Sequence, residues 1–180
     1  MSNQQLSGSV ATPSVSVVIP VHNGAGFVTE SIRDARRFLE NRYPEYEIVI
    51  VDDGSTDGTA AALGPLLDGR VHLIVLPENL GKFAALRAGM AMATGRCRVF
   101  TDADLPYDLE AVPYIVNLIE EGSFDIVVGD RTLPESVSLS DSRVSRKLSS
   151  SIFIYFVRML VNVGLFDSQC GIKGFRSDVA

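Results

Sequence analysis

Short apolar, β-branched runs alternate with stretches of helical periodicity, and this alternation constrains the fold of the chain more than any other feature. Strands are predicted at residues 15–21, 47–51, 71–76, 98–101 and 125–129. Four of the five hold an uninterrupted apolar run of three or more residues, as strands covered on both faces do. Helices are predicted between them. Residues 27–41 carry Phe27, Ile32, Ala35 and Leu39 on one stripe, and residues 57–67 open at an acidic cap position. Residues 82–93 align Phe83, Leu86, Met90 and Ala93. Residues 108–120 align Leu109, Val112, Val116 and Ile119, with Asp108 as the cap. Such alternation implies an α/β fold: a doubly wound, mostly parallel sheet with helices on both faces. Ligands of these sheets bind beyond the carboxyl ends of the strands.

Composition narrows the possibilities. With 180 residues, 46% of them hydrophobic, the chain holds enough apolar surface for one domain, expected over residues 14–180. A net charge of -6 gives no global attraction to nucleic acid or to an anionic surface, so any anion site is local. Cys97 and Cys170 have neither metal nor redox spacing and are expected as reduced thiols in a cytosolic setting. Residues 1–13 lack a basic start and an apolar core and are expected to be a disordered lead-in. No apolar run reaches the ~20 residues that cross a bilayer.

Polar residues gather where the strands end. In "VDDGSTDG", Gly54 permits a sharp turn, and Thr56 or Asp57 can cap the following helix. A turn does not account for two adjacent carboxylates. One of Asp52 and Asp53 is therefore available to accept hydrogen bonds from a base or ribose, and the pattern does not choose between them. In "NLGKFAALRAGM", Gly81 precedes a helix whose first turn holds Lys82, either a surface lysine or a phosphate seat. Arg87 falls beside Phe83 and Met90, where it needs a strand-end aspartate or a ligand anion. In "TDADLP", residues two apart in an extended segment point the same way, so Asp102 and Asp104 aim at one point. Two carboxylates so placed suit Mg2+ or Mn2+ completed by a substrate diphosphate. The alternative is a pair of turn aspartates.

"VVIPVHNGAGFV", "IVIVDDGSTDGT", "NLGKFAALRAGM" and "TDADLP" follow one another in an order and at spacings that resemble family 2 glycosyltransferases of the GT-A fold. "GDRT" and "DSQCGIKGFR" resemble the polyprenyl-phosphate branch, the dolichyl-phosphate glucosyl- and mannosyltransferases and their undecaprenyl-phosphate relatives. The resemblance runs from Val15 to Arg176. It implies that Pro20, Val21, His22, Asn23, Asp52, Asp53 and Lys82, with Arg87 beside them, hold the nucleotide of a sugar donor. It implies that Asp102 and Asp104 bind donor and metal. Arg131 would contact diphosphate or lipid phosphate and join the catalytic set, and Arg143, Arg146 and Lys173 would gather around the acceptor phosphate. Three positions depart from the branch: Gly24 where a glutamate is common, Asp130 in place of a serine, and Pro106 where some relatives carry a polar ligand.

The implied reaction is inverting transfer of a hexose to a polyprenyl phosphate. The ending "DSQCGIKGF" leans toward UDP-glucose as donor over GDP-mannose. A phosphate acceptor is already anionic and needs no strong base; neither His22, in the first loop, nor His72, at a strand start, is placed as one. Residues 149–166 read as an apolar helix with one polar stripe of Ser151, Tyr155, Arg158 and Asn162, preceded by Arg143, Arg146 and Lys147. It belongs in the core, at an interface or in a membrane surface. The expected location is the cytoplasmic side of a membrane, as a peripheral domain truncated at its carboxyl end. Two other readings stay open: a family 2 enzyme with a saccharide or protein acceptor, and a nucleotide-sugar binding module without turnover.

Overall fold

The structure, a computed structural model, describes residues 14–122, 124–130 and 170–180. Arg131, Arg143, Arg146 and the apolar segment 149–166 lie outside the described residues, as does the lead-in 1–13. In chain order the elements are β1 (Val15–Val21), α1 (Val28–Glu40), β2 (Tyr46–Asp52), α2 (Thr59–Leu63), a 3-10 turn (Gly64–Leu66), β3 (Val71–Val75), α3 (Lys82–Met92), β4 (Cys97–Phe100), α4 (Ala111–Glu120), β5 (Ile126–Val128) and β6 (Lys173–Arg176). They form one six-stranded sheet of order β3-β2-β1-β4-β6-β5. β1 pairs in parallel with β2 and β4, and β2 with β3. β6 runs antiparallel between β4 and β5.

β1 and β2 are buried along all seven residues, because helices cover both faces. Alternate residues serve opposite faces. Val15, Val17 and Ile19 join Ile48 and Ile50 under α1, α2 and α4. Val18, Val49 and Val51 face α3. The α3 contact differs from the expected stripe. Phe83 is 81% exposed, and Ala85 and Gly89 are buried instead. The helix docks through small residues: a Cβ at Gly89 would lie 2.4 Å from Val18 Cγ1 and 2.9 Å from Val51 Cγ2. Arg87 therefore sits on an exposed face, and among the described residues it makes no ion pair or hydrogen bond.

Three further expectations change. α2 starts at Thr59, with Asp57 Oδ1 accepting the Thr59 N–H at 3.0 Å. α4 starts at Ala111, and Asp108 closes the turn before it by accepting the Glu110 N–H at 2.9 Å. β6 was not expected at all: four residues with Gly174 inside and charges at both ends carry little strand signal. Both cysteines are free and buried, and burial first of all pushes the Cys97 thiol up to about 12. Among the described residues no helix is long and apolar enough to cross a membrane.

Candidate active site

β1, β2 and β4 release the chain at the same edge of the sheet, so the residues after Val21, Asp52 and Phe100 meet there. Pro20 helps open this edge. The last register pair between β1 and β4 is Val18 with Phe100, and the Thr101 N–H donates to the Val18 carbonyl at 3.1 Å. Residue 20 is the next to face that side, beyond the end of β4, so its missing N–H costs no ladder bond. The two strands part there. A cleft of about 260 Å3 follows, lined by Pro20, Val21, His22, Asp53, Asn79, Gly81, Lys82 and Asp102.

The two adjacent aspartates separate in role. Asp52, the last residue of β2, is 1% exposed and accepts the Ser55 N–H at 2.9 Å, which shapes the turn behind the cleft. Asp53 lines the cleft itself. Its Oδ1 and Oδ2 accept the Leu80 and Gly81 N–H groups at 2.8 and 2.9 Å, so it holds the loop that leads into α3. Gly54 makes that approach possible. Its φ is +63°, and a Cβ would lie 2.3 Å from the Glu78 carbonyl carbon. Only glycine meets both demands.

The first loop is fastened to the second. Asn23 and Gly24 donate their N–H groups to Ser55 Oγ and Thr59 Oγ1, each at 2.8 Å. Ala25 donates to Asp57 Oδ2 at 3.0 Å, and Thr56 donates to Asn23 Oδ1 at 2.9 Å. Hydrogen bonds from the Thr59 side chain, above all, and from the Ala25 N–H hold the Asp57 carboxyl below its usual range. The Asp53 carbonyl can only accept, so the 2.7 Å contact from His22 Nδ1 places the ring proton on that nitrogen. Nε2 then accepts from Asn23 Nδ2 at 3.0 Å. His22 thus lines the cleft as an oriented ring, and Asn23 is turned toward the second loop.

The fourth strand exit departs from the extended geometry expected of "TDADLP". The Leu105 N–H donates to the Asp102 carbonyl at 3.1 Å, so these residues form a turn. Leu105 takes φ +45°, unusual for a leucine, and packs against the core. The extended backbone that would point Asp102 and Asp104 the same way is therefore absent here. Asp102 lines the cleft and forms an ion pair with Lys82, while Asp104 is exposed on the turn. Among the described residues no group of three or more His, Cys, Asp or Glu could hold a metal ion. Asp102 is also crowded from the segment that leads into β6: a Cβ at Gly171 would lie 2.3 Å from its Oδ2, and the Gly171 N–H donates to Tyr107 Oη at 2.8 Å.

Six of the expected site residues therefore share one cleft: Pro20, Val21, His22, Asp53, Lys82 and Asp102. Asp52, Asn23, Asp104 and Arg87 do not line it, and Lys173 lines a neighbouring groove with Lys82 and Phe83. Sequence reasoning passed over Asn79, Tyr107 and Gly171. The glycine of "QCGIKGF" was the available signal for the last.

A family model described as Glycosyl transferase family 2 matches residues 16–180. The chain is 30% identical to the dolichyl-phosphate beta-glucosyltransferase of Dictyostelium discoideum, over 92% of this chain and 55% of that protein. It is 28% identical to the dodecaprenyl-phosphate galacturonate synthase of Rhizobium johnstonii, over 94% of this chain and 50% of that protein. The chain thus spans about half the length of these two relatives. Among solved structures, glucosyl-3-phosphoglycerate synthase from Mycobacterium tuberculosis superposes with a TM-score of 0.66 at 21% identity. That match covers 93% of this chain and 58% of the other, and it bears on the fold alone.

Proposed function

The chain belongs to glycosyl transferase family 2 and carries its GT-A fold, and on that premise we propose that it is the sugar-transferring domain of a polyprenyl-phosphate glycosyltransferase. The observation that carries this reading is the cleft at the strand exits, where an oriented histidine, a loop-bound aspartate and a lysine–aspartate pair surround space for a nucleotide. Relatives named for dolichyl- and dodecaprenyl-phosphate chemistry support the acceptor class. The preferred donor is UDP-glucose, with GDP-mannose as the competitor to test against it.

In this reading the base and ribose lie against Pro20, Val21, His22 and Asp53. Lys82 stands in the first turn of α3, whose amino end carries no side-chain cap. The partial positive charge of that end and the ammonium group together face the donor diphosphate. An acceptor phosphate oxygen attacks the anomeric carbon from the side opposite the diphosphate. The bond from that carbon to the diphosphate oxygen breaks, and its electron pair leaves with the nucleoside diphosphate. The configuration inverts, and no proton has to be removed from the acceptor. Lys82 offsets the charge that grows on the departing diphosphate.

Asp102 and Asp104 offer carboxylate oxygens of the kind Mg2+ or Mn2+ takes. Of the two, only Asp102 lines the cleft, with Asp104 exposed on the turn beside it, so such an ion would be held by Asp102 together with the diphosphate. The bound ion would supply further charge stabilisation to the leaving group. Arg131, Arg143 and Arg146 are proposed, with Lys173, to receive the acceptor phosphate, which places the domain at a membrane surface.

The test is transfer of labelled sugar from UDP-glucose or GDP-mannose to a short polyprenyl phosphate with Mn2+. Product that falls ~100-fold in Asp102→Asn supports the reading. Product on a soluble saccharide alone, or none from either donor, overturns it.

A further inference from the structure

Beside the donor cleft lies a second groove of about 270 Å3, lined by Lys82, Phe83, Leu86, Phe100, Cys170, Gly171 and Lys173. Three features set it apart from an ordinary surface hollow. First, it shares Lys82 with the donor cleft, so the two spaces meet at one ammonium group. Second, the partition between them is thin. Gly171 lines the groove, and its missing Cβ would touch Asp102, which lines the donor cleft. Third, its chemistry is divided. Lys82 and Lys173 stand at it, the latter with its Nζ 5.6 Å from the Phe100 ring centre. Phe83 and Leu86 offer an apolar wall on α3, and Phe83 is 81% exposed although it sits in the first turn of a helix that docks through alanine and glycine.

A side chain that large is expected to bury apolar surface, and on α3 it leaves about four fifths exposed. We propose that Phe83 and Leu86 form the subsite for the first isoprene units of the acceptor, with its phosphate directed to Lys173, beside the Lys82 that faces the donor. The inference rests on the polyprenyl-phosphate reading and adds the place of the hydrocarbon chain to it. An anionic head followed by a branched apolar chain matches the two kinds of lining: Lys173, with Lys82 at the join with the donor cleft, for the head, and Phe83 and Leu86 for the chain. The head then arrives where the two spaces join, which the transfer requires. The relatives named for polyprenyl phosphates make this occupant the fitting one among amphiphiles.

The experiment is calorimetric titration of farnesyl phosphate, kept below its micelle concentration, into the wild-type chain, Phe83→Ser and Phe83→Leu. Sugar transfer is assayed in parallel. The expected result is a dissociation constant raised about tenfold in Phe83→Ser and restored in Phe83→Leu, the scale of one lost apolar contact. Isopentenyl phosphate, with only one isoprene unit, is expected to lose less than farnesyl phosphate. The KM for the nucleotide sugar stays at the wild-type value in both variants. Equal affinity for farnesyl phosphate in wild type and Phe83→Ser overturns the subsite even if transfer proceeds. No binding to the wild type overturns it too, and is the outcome if the groove seats a protein segment instead. Tight binding that depends on Phe83, without transfer, keeps the subsite and overturns the function proposed above. Because Phe83 is exposed, loss of the fold is not expected in either variant.

Discussion

Glu47 and Asp102, acidic groups at opposite ends of the central sheet, are held in opposite ways. At the amino end Glu47 is 6% exposed. Its Oε1 accepts from Ser16 Oγ and the Thr94 N–H at 2.5 Å each, from Thr94 Oγ1 at 3.0 Å and from the Gly95 N–H at 3.2 Å. His72 stands 3.8 Å from its other oxygen. Burial alone raises the Glu47 pKa, but the hydrogen bonds from Ser16, Thr94 and Gly95 outweigh it and leave the carboxyl below its usual range. At the carboxyl end Asp102 has 30% of its side chain exposed, and its partner Lys82 has 52% exposed. Glu47 sits in a closed network whose donors all come from the protein. Asp102 is open to solvent on a cleft. The contrast teaches that Glu47, enclosed by protein donors away from the cleft, serves the fold, whereas Asp102, at a strand exit with a solvent-facing partner, is available to a ligand.

The comparison breaks most visibly at Glu47. Glu47→Ala strands the Ser16, Thr94 and Gly95 donors and is expected to cost ~3 kcal/mol of stability in urea unfolding. Sugar transfer by the protein that remains folded stays at the wild-type rate. If transfer fell with Glu47 while stability held, the division between the ends would be wrong. Lys82→Met should show the reverse. The expected effect is a roughly 30-fold loss of transfer, while stability moves by less than ~1 kcal/mol because the ion pair is half exposed.

Gly171→Ala sharpens the picture, since it disturbs Asp102 without touching its charge. The added Cβ forces the carboxylate aside, and transfer is expected to fall about tenfold, with the larger share in kcat. Gly171→Ser should be at least as damaging. An unchanged rate in Gly171→Ala would separate Asp102 from the chemistry.

The smallest effect concerns acid. The native Glu47 pKa is depressed below its ordinary 4.5, so the unfolded chain takes up a proton that the folded one resists. The stability it contributes is fully present above about pH 4.5 and is lost as pH falls through the depressed value. Glu47→Gln should therefore flatten that part of the acid limb in pH-dependent unfolding. A limb as steep as the wild type's would assign acid sensitivity to other carboxylates.

Much of this arrangement was legible in the sequence, for reasons that differ by residue. The bounds of β1 were readable because seven residues in a row serve a two-sided core. The convergence of His22, Asp53 and Asp102 followed from parallel strands ending at one edge. The choice between Asp52 and Asp53 was not readable, because it depends on the loop of Leu80 and Gly81 arriving from β3. The α3 stripe was misjudged because close packing through Ala85 and Gly89 carries little hydrophobic signal, while Phe83 looks like a core residue and is not one. The extended geometry assumed for Asp102 and Asp104 missed the turn closed by Leu105, whose positive φ no periodicity announces. β6 escaped because its pairing with β4 and β5 is a tertiary fact, not a local one.

The most direct measurement is calorimetric titration of UDP with Mn2+ into the wild-type chain, Asp102→Asn and Glu47→Gln. Saturable binding to the wild type, weakened at least ~10-fold in Asp102→Asn and unchanged in folded Glu47→Gln, is the expected result. Binding that survives Asp102→Asn at full strength, or that falls equally in Glu47→Gln, contradicts the placement of the donor site at the carboxyl end of the sheet.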